Sequence, residues 1–204
     1  VTNAAPSGST DTNSAPNAVL ENAPAGTAVG LTARSIDPSG GSVTYSFSNN
    51  AGGRFTIDSS SGAVTVLDGT LLNHDQATSH DVTVVATDAS GLTSSTAFTI
   101  LVSNVAPSIP VDADATVNEV SEGAATGTVV GVIASSSDPA GGSLSYSLSN
   151  NAGGRFAIDA STGVVTVADG SLLNFDESAT HTITLIATDA GGLTSSASVS
   201  IAVL

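Results

Sequence analysis

Apolar and polar residues alternate in short runs along the whole chain, the period-2 pattern of strands with one buried face. In the first half the alternation predicts strands near 19–20, 27–33, 43–48, 54–57, 63–67, 80–87 and 94–102. Turn-forming clusters separate them: Asp37 to Gly41, Asn49 to Gly53, Asp58 to Gly62 and Asp88 to Gly91. Gly, Asn and Asp suit such turns because they accept positive φ at low cost. No segment sustains a 3.6-residue period, so helix content is expected to be close to nil. About seven short strands in a hundred residues is the pattern of an antiparallel sandwich.

The second half repeats the first at a spacing of 101 residues, without gaps. Ser48 to Phe55 and Ser149 to Phe156 both read Ser-Asn-Asn-Ala-Gly-Gly-Arg-Phe, and Asn3…Pro6 recurs as Asn104…Pro107. Repetition on this scale indicates an array of like domains, since solenoid repeats are shorter. The expected architecture is therefore all-β: two tandem antiparallel Greek-key sandwiches, 1–103 and 104–204, with residues 1–7 derived from a preceding linker. Tyr45 and Tyr146 share a repeat position and are expected to face inward. Arg54 and Arg155 also coincide and are expected to pack their stems and pair with a local carboxylate.

Charge changes the picture more than composition does. Eighteen acids face three arginines, for a net charge of −15, which argues against nucleic acid and anionic lipid as partners. With 40% apolar residues in strand-like runs, the acids belong to an ordered surface that attracts cations, or one that serves solubility in a salty medium. Ca²⁺ is the candidate ion, because it takes carboxylate, amide and carbonyl oxygens. The chain has no Cys, which excludes thiol catalysis and cysteine-based zinc sites. It also lacks a nucleophile elbow, a phosphate loop and an N-glycosylation sequon, so no enzyme is expected. His80 and His181 fall at a strand start, where packing is the expected role.

Six acidic positions recur at the repeat spacing: Glu21/Glu122, Asp37/Asp138, Asp58/Asp159, Asp68/Asp169, Asp75/Asp176 and Asp88/Asp189. Asp58 and Asp68 sit in Ser- and Gly-containing turns, where capping accounts for them. The other four lie near strand ends or in loops and can gather at the poles of a sandwich.

Over essentially all of both halves the sequence resembles the cadherin repeat, in its bacterial cadherin-like form. Leu20 to Thr27 is similar to the family's Pro-Glu-Asn…Gly-Thr opening, and Ala33 to Asp37 occupies the place of Ala-x-Asp-x-Asp. Phe55-Thr56-Ile57-Asp58…Ser61-Gly62 resembles Phe…Ile-Asp…Thr-Gly. Asn73-His74-Asp75 stands where the family has Asp-x-Glu, and Asn104 to Pro107 stands for the end of its linker. The resemblance implies Ca²⁺ between successive repeats, held by Glu21, Asn73 and Asp75, by Asn104 and linker carbonyls, and by Asp138 and Asp189. Departures weaken that set. Ser35 and Ser136 replace an Asp, Asn-x-Asp replaces Asp-x-Glu, and Leu101-Val102-Ser103 replaces the leading linker acid. One or two ions are expected rather than the family's three. Glu122, Asn174 and Asp176, and likewise Asn3, Asp37 and Asp88, would each form half a site that binds metal poorly alone.

The resemblance implies a Ca²⁺-rigidified extender or adhesion segment of a large bacterial protein, extracellular or on the cell surface. As an excised pair it is expected to be monomeric. Its partners would be neighbouring repeats, with a cell-surface protein or polysaccharide as further candidates. A Ca²⁺-dependent carbohydrate-binding module and a metal-free spacer are the alternative readings. Against the former, there is no Trp to stack on sugar rings.

Overall fold

The computed structural model describes residues 3–204 and divides the chain into two compact units, the first ending at Asn104 and the second spanning Val105–Leu204. Among the described residues, the first unit contains eight strands: β1 (Thr10–Asp11), β2 (Ala18–Leu20), β3 (Ala28–Arg34), β4 (Val43–Asn49), β5 (Phe55–Ile57), β6 (Ala63–Val66), β7 (Ser79–Asp88) and β8 (Thr93–Ser103). The second repeats them as β9 (Val111–Asp112), β10 (Glu119–Val120), β11 (Val129–Ser135), β12 (Leu144–Asn150), β13 (Phe156–Ile158), β14 (Val164–Val167), β15 (Thr180–Asp189) and β16 (Thr194–Val203). Two 3-10 turns, Gly69–Leu71 and Gly170–Leu172, are the helical content of the described residues.

Each unit is a sandwich of two four-stranded sheets. In the first unit their orders are β1-β3-β6-β5 and β2-β8-β7-β4; the second has β9-β11-β14-β13 and β10-β16-β15-β12. Pairing is antiparallel except where β2 runs parallel to β8 and β10 to β16. The short strands β1 and β9 were not expected from the alternation. A side chain helps hold each in place: the Asp11 carboxylate accepts from the Thr32 amide at 3.1 Å, and Asp112 from Ile133 at 3.1 Å.

The alternation predicted the core. Val29, Leu31 and Ala33 of β3, Val64 and Val66 of β6, and Val82, Val84 and Ala86 of β7 are buried, with Phe55, Leu72 and Ile100 between the sheets. The second core has the same layout around Phe156, Ile183, Leu185 and Ile201. Full burial of one such side chain contributes about 1.5–3 kcal/mol. These Val-rich layers therefore suffice without tryptophan or disulfides.

Tyr45 lies in this core and its hydroxyl accepts the Ser35 amide at 2.9 Å; Tyr146 does the same for Ser136 at 3.1 Å, half-buried. Gly30 marks the register shift between β3 and β6, at φ +80°, where a Cβ would overlap the Pro16 carbonyl.

The arginines correct one expectation. Arg54 donates from Nε to the Leu71 carbonyl at 2.9 Å and from a terminal nitrogen to the Ala51 carbonyl at 2.8 Å. Arg155 repeats this with Leu172 and Ala152. The guanidinium is committed to main-chain oxygens rather than to a carboxylate. The reason is local: the Asn-Asn-Ala-Gly-Gly turn runs through three successive positive φ angles, from Ala51 to Gly53, and leaves a carbonyl facing the arginine.

Candidate metal centre

Strand direction places the acids of one unit at opposite ends. β7 begins at Ser79, beside Leu101 near the end of β8, and finishes at Asp88, beside Val43. Ten residues at about 3.3 Å each separate these ends by roughly 30 Å.

Glu21, Asn73 and Asp75 share the end where β2 and β8 finish. Glu21 is 3% exposed, and its carboxylate accepts the His74 amide at 3.0 Å, so it fastens the loop carrying the other two. Asn73 is also buried and accepts the Gln76 amide, whereas Asp75 is exposed. In the second unit Glu122 accepts the Phe175 amide at 3.2 Å, and Glu122, Asn174 and Asp176 line one open cleft. Both Glu-loop groupings thus come together.

The opposite end of the first unit is held by hydrogen bonds. Asn3 donates to Asp88 at 2.9 Å and accepts from the Ser39 hydroxyl at 2.8 Å. Burial works against ionisation of Asp88, but hydrogen bonds from the Leu92 amide, Asn3 and the Ser90 and Gly91 amides outweigh it and lower its pKa. Asp37 spends one oxygen on the Ser39 amide at 2.7 Å and the other on Gly41 at 2.9 Å. Ser35, standing where the family has an Asp, is buried and bonded to the Ser9 hydroxyl.

The corresponding end of the second unit differs at one atom. Asp138 accepts both amides, from Ala140 at 2.8 Å and Gly142 at 3.0 Å, on Oδ1. Its Oδ2 is buried and has no hydrogen-bond partner. Asp189, at the end of β15 opposite Leu144, is also buried and accepts the Leu193 amide at 2.8 Å. A buried carboxylate oxygen without a donor is costly unless a cation faces it. The donor set at these ends consists of carboxylate and amide oxygens, the chemistry of a hard divalent ion. Among the described residues, however, no group of three or more His, Asp or Glu side chains is gathered closely enough to hold a metal. The orphaned Oδ2 is the feature that sequence reasoning missed. Asp37 and Asp138 are the same residue at the same repeat position, and nothing in the repeat spacing separates them.

Asp58, Asp68 and their counterparts are turn residues, as expected. Asp58 accepts from the amides and hydroxyls of Ser60 and Ser61, which hold its pKa far below the usual carboxylate range. Asp68 caps the 3-10 turn through the Thr70 amide. In each, Oδ1 is committed to its own turn.

The fold and the polar ends define a tandem array of β-sandwich repeats. The chain belongs to the cadherin family, a family of cell-adhesion proteins: the Cadherin domain model matches residues 16–103 and 116–204. It is 30% identical over 190 residues to cadherin-related family member 1 of Gallus gallus, covering 90% of this chain and 21% of that protein. It is 33% identical over 197 residues to protocadherin Fat 4 of Homo sapiens, covering 91% of this chain and 4% of that protein. The chain thus spans a small part of these relatives. Mouse cadherin-23 EC22-24 is similar in fold, with a TM-score of 0.51 and 24% identity, covering 93% of this chain and 63% of that one. No helix among the described residues is long and apolar enough to cross a membrane.

Proposed function

We propose that the chain is a Ca²⁺-rigidified extender or adhesion segment of a large extracellular protein. The observation that carries this reading is the buried, unpartnered Oδ2 of Asp138. The ion would be held by Glu21, Asn73 and Asp75 of one repeat, Asn104 of the linker, and Asp138 and Asp189 of the next. It would supply the positive charge that lets four carboxylates share one joint. The family match supports this, since cadherin domains generally bind Ca²⁺ and act between neighbouring repeats. The relatives named above are animal proteins, and a bacterial setting rests on the sequence resemblance alone.

Thermal melting and small-angle scattering in Ca²⁺ and in EGTA test the proposal. Ca²⁺ at a hundredfold excess over Kd stabilises by about 2.7 kcal/mol. For units of this size that is a Tm rise on the order of 10 °C, reversed by EGTA. The double variant Asp75→Ala/Asp138→Ala should lose the response. An undiminished response in that variant would place the ion elsewhere.

A further inference from the structure

His80 and His181 stand one residue into β7 and β15, in the inward-facing register that continues through Val82 and Ile183. Across the ladder each is opposite a fully buried isoleucine, Ile100 or Ile201. Each imidazole meets a buried phenylalanine, with ring centroids 6.5 Å apart at Phe55 and 6.3 Å at Phe156. Each residue is half-buried overall, yet Nε2 of both rings is shut off from solvent and has no hydrogen-bond partner.

A neutral imidazole protonated on Nδ1 fits this setting, because Nε2 is then a bare lone pair among carbon atoms. A second proton would place an N–H there with no acceptor and a positive charge in an apolar layer. The charge that acts on the ring worsens this. Arg54 lies at the start of β5, held by the Leu71 and Ala51 carbonyls, and Arg155 repeats it. No compensating acid faces the ring from its own strand or the next. Asp81 turns to the outer face and accepts the Thr99 hydroxyl of β8, and the second unit has Thr182 there.

We propose that His80 and His181 are acid-triggered latches, one per unit: the neutral imidazole closes one end of each core, and protonation unseats it. Burial first and the neighbouring arginine second hold both imidazoles below their ordinary pKa. The folded state therefore stays neutral where the unfolded chain takes up a proton. The latch contribution is complete above about pH 6.5, the unfolded value, and is lost progressively as pH falls below it.

The test is the Tm of the whole chain between pH 7.5 and pH 5, in EGTA, for the wild type and for His80→Phe/His181→Phe. That window leaves most carboxylates ionised. The wild type should lose several degrees as the buffer is acidified, and the double variant should lose almost none. An equal fall in both chains would overturn the proposal. Should the variant fail to fold, imidazole titration of the wild type by NMR decides. Folded values below 6.5 at both residues are expected, and values at or above 6.5 would refute the latch.

Discussion

Asparagine at position 138 separates the two oxygens of that carboxylate. Asp138 is 9% exposed, caps Ala140 and Gly142 through Oδ1, and buries Oδ2 without a partner. Asp138→Asn keeps the capping oxygen and removes the charge. Two charge-assisted bonds become neutral ones, a loss of about 1–2 kcal/mol in all, while a neutral amide costs less to bury than a carboxylate by about as much, even though its NH₂ is as unpartnered as Oδ2 was. In EGTA the two nearly cancel, and Tm should move by less than about 5 °C. Asp138→Ala discards the caps as well and should lie about 1–2 kcal/mol below the asparagine variant. In Ca²⁺ the ranking changes: the wild type gains about 2.7 kcal/mol at a hundredfold excess over Kd, and both variants gain little. Asp37→Asn is the internal control. Both Asp37 oxygens already accept amides, so an asparagine must set its NH₂ against a main-chain N–H. The cost, about 1–3 kcal/mol, should be the same with and without Ca²⁺. Differential scanning calorimetry of the four proteins, each with Ca²⁺ and with EGTA, gives every quantity needed. If Asp138→Asn gained as much from Ca²⁺ as the wild type, Oδ2 would have no part in metal binding. If it were as unstable in EGTA as Asp138→Ala, the buried charge would carry no cost.

Two further outcomes are expected. Gly69 is buried at the start of its 3-10 turn, where a Cβ would overlap the Ala23 carbonyl, and backbone cannot swing aside. Gly69→Ala should cost about 3 kcal/mol, seen as an earlier melting transition for the first unit; an unchanged transition would contradict the close approach. Asp159 is held at a pKa of about 2 by the Thr162 amide, the Thr162 and Ser161 hydroxyls and the Ser161 amide. Because the folded value is depressed, its contribution is present above about pH 4 and lost as pH falls toward 2. Asp159→Asn should flatten the part of the acid-denaturation curve between pH 4 and 2, and a curve of unchanged slope would show the turn to be uncoupled from folding.

What was legible in the sequence and what was not divide along physical lines. Alternation is a property of side chains on a pleat, so long strands such as β3, β7 and β8 could be read directly, and their inward residues became the core. β1 and β9 could not, because two residues hold no period and a carboxylate on the next strand's amide helps to hold them. The recurrence of the acids was legible too, and so was the split between turn aspartates and polar-end acids. Spacing cannot show how a carboxylate divides two amides between its oxygens. Asp37 and Asp138 begin loops that differ by one hydroxyl, Ser39 against Ala140, and in the first unit that hydroxyl is bonded to Asn3. One aspartate is fully spent on its loop and the other keeps an oxygen in reserve. An alignment of the two halves assigns both the same role, whereas hydrogen bonding assigns them different ones. On the proposed reading, ion affinity depends on each repeat's own loop as well as on the recurring acids, and joints with the same acids in sequence should differ in how strongly Ca²⁺ stiffens them.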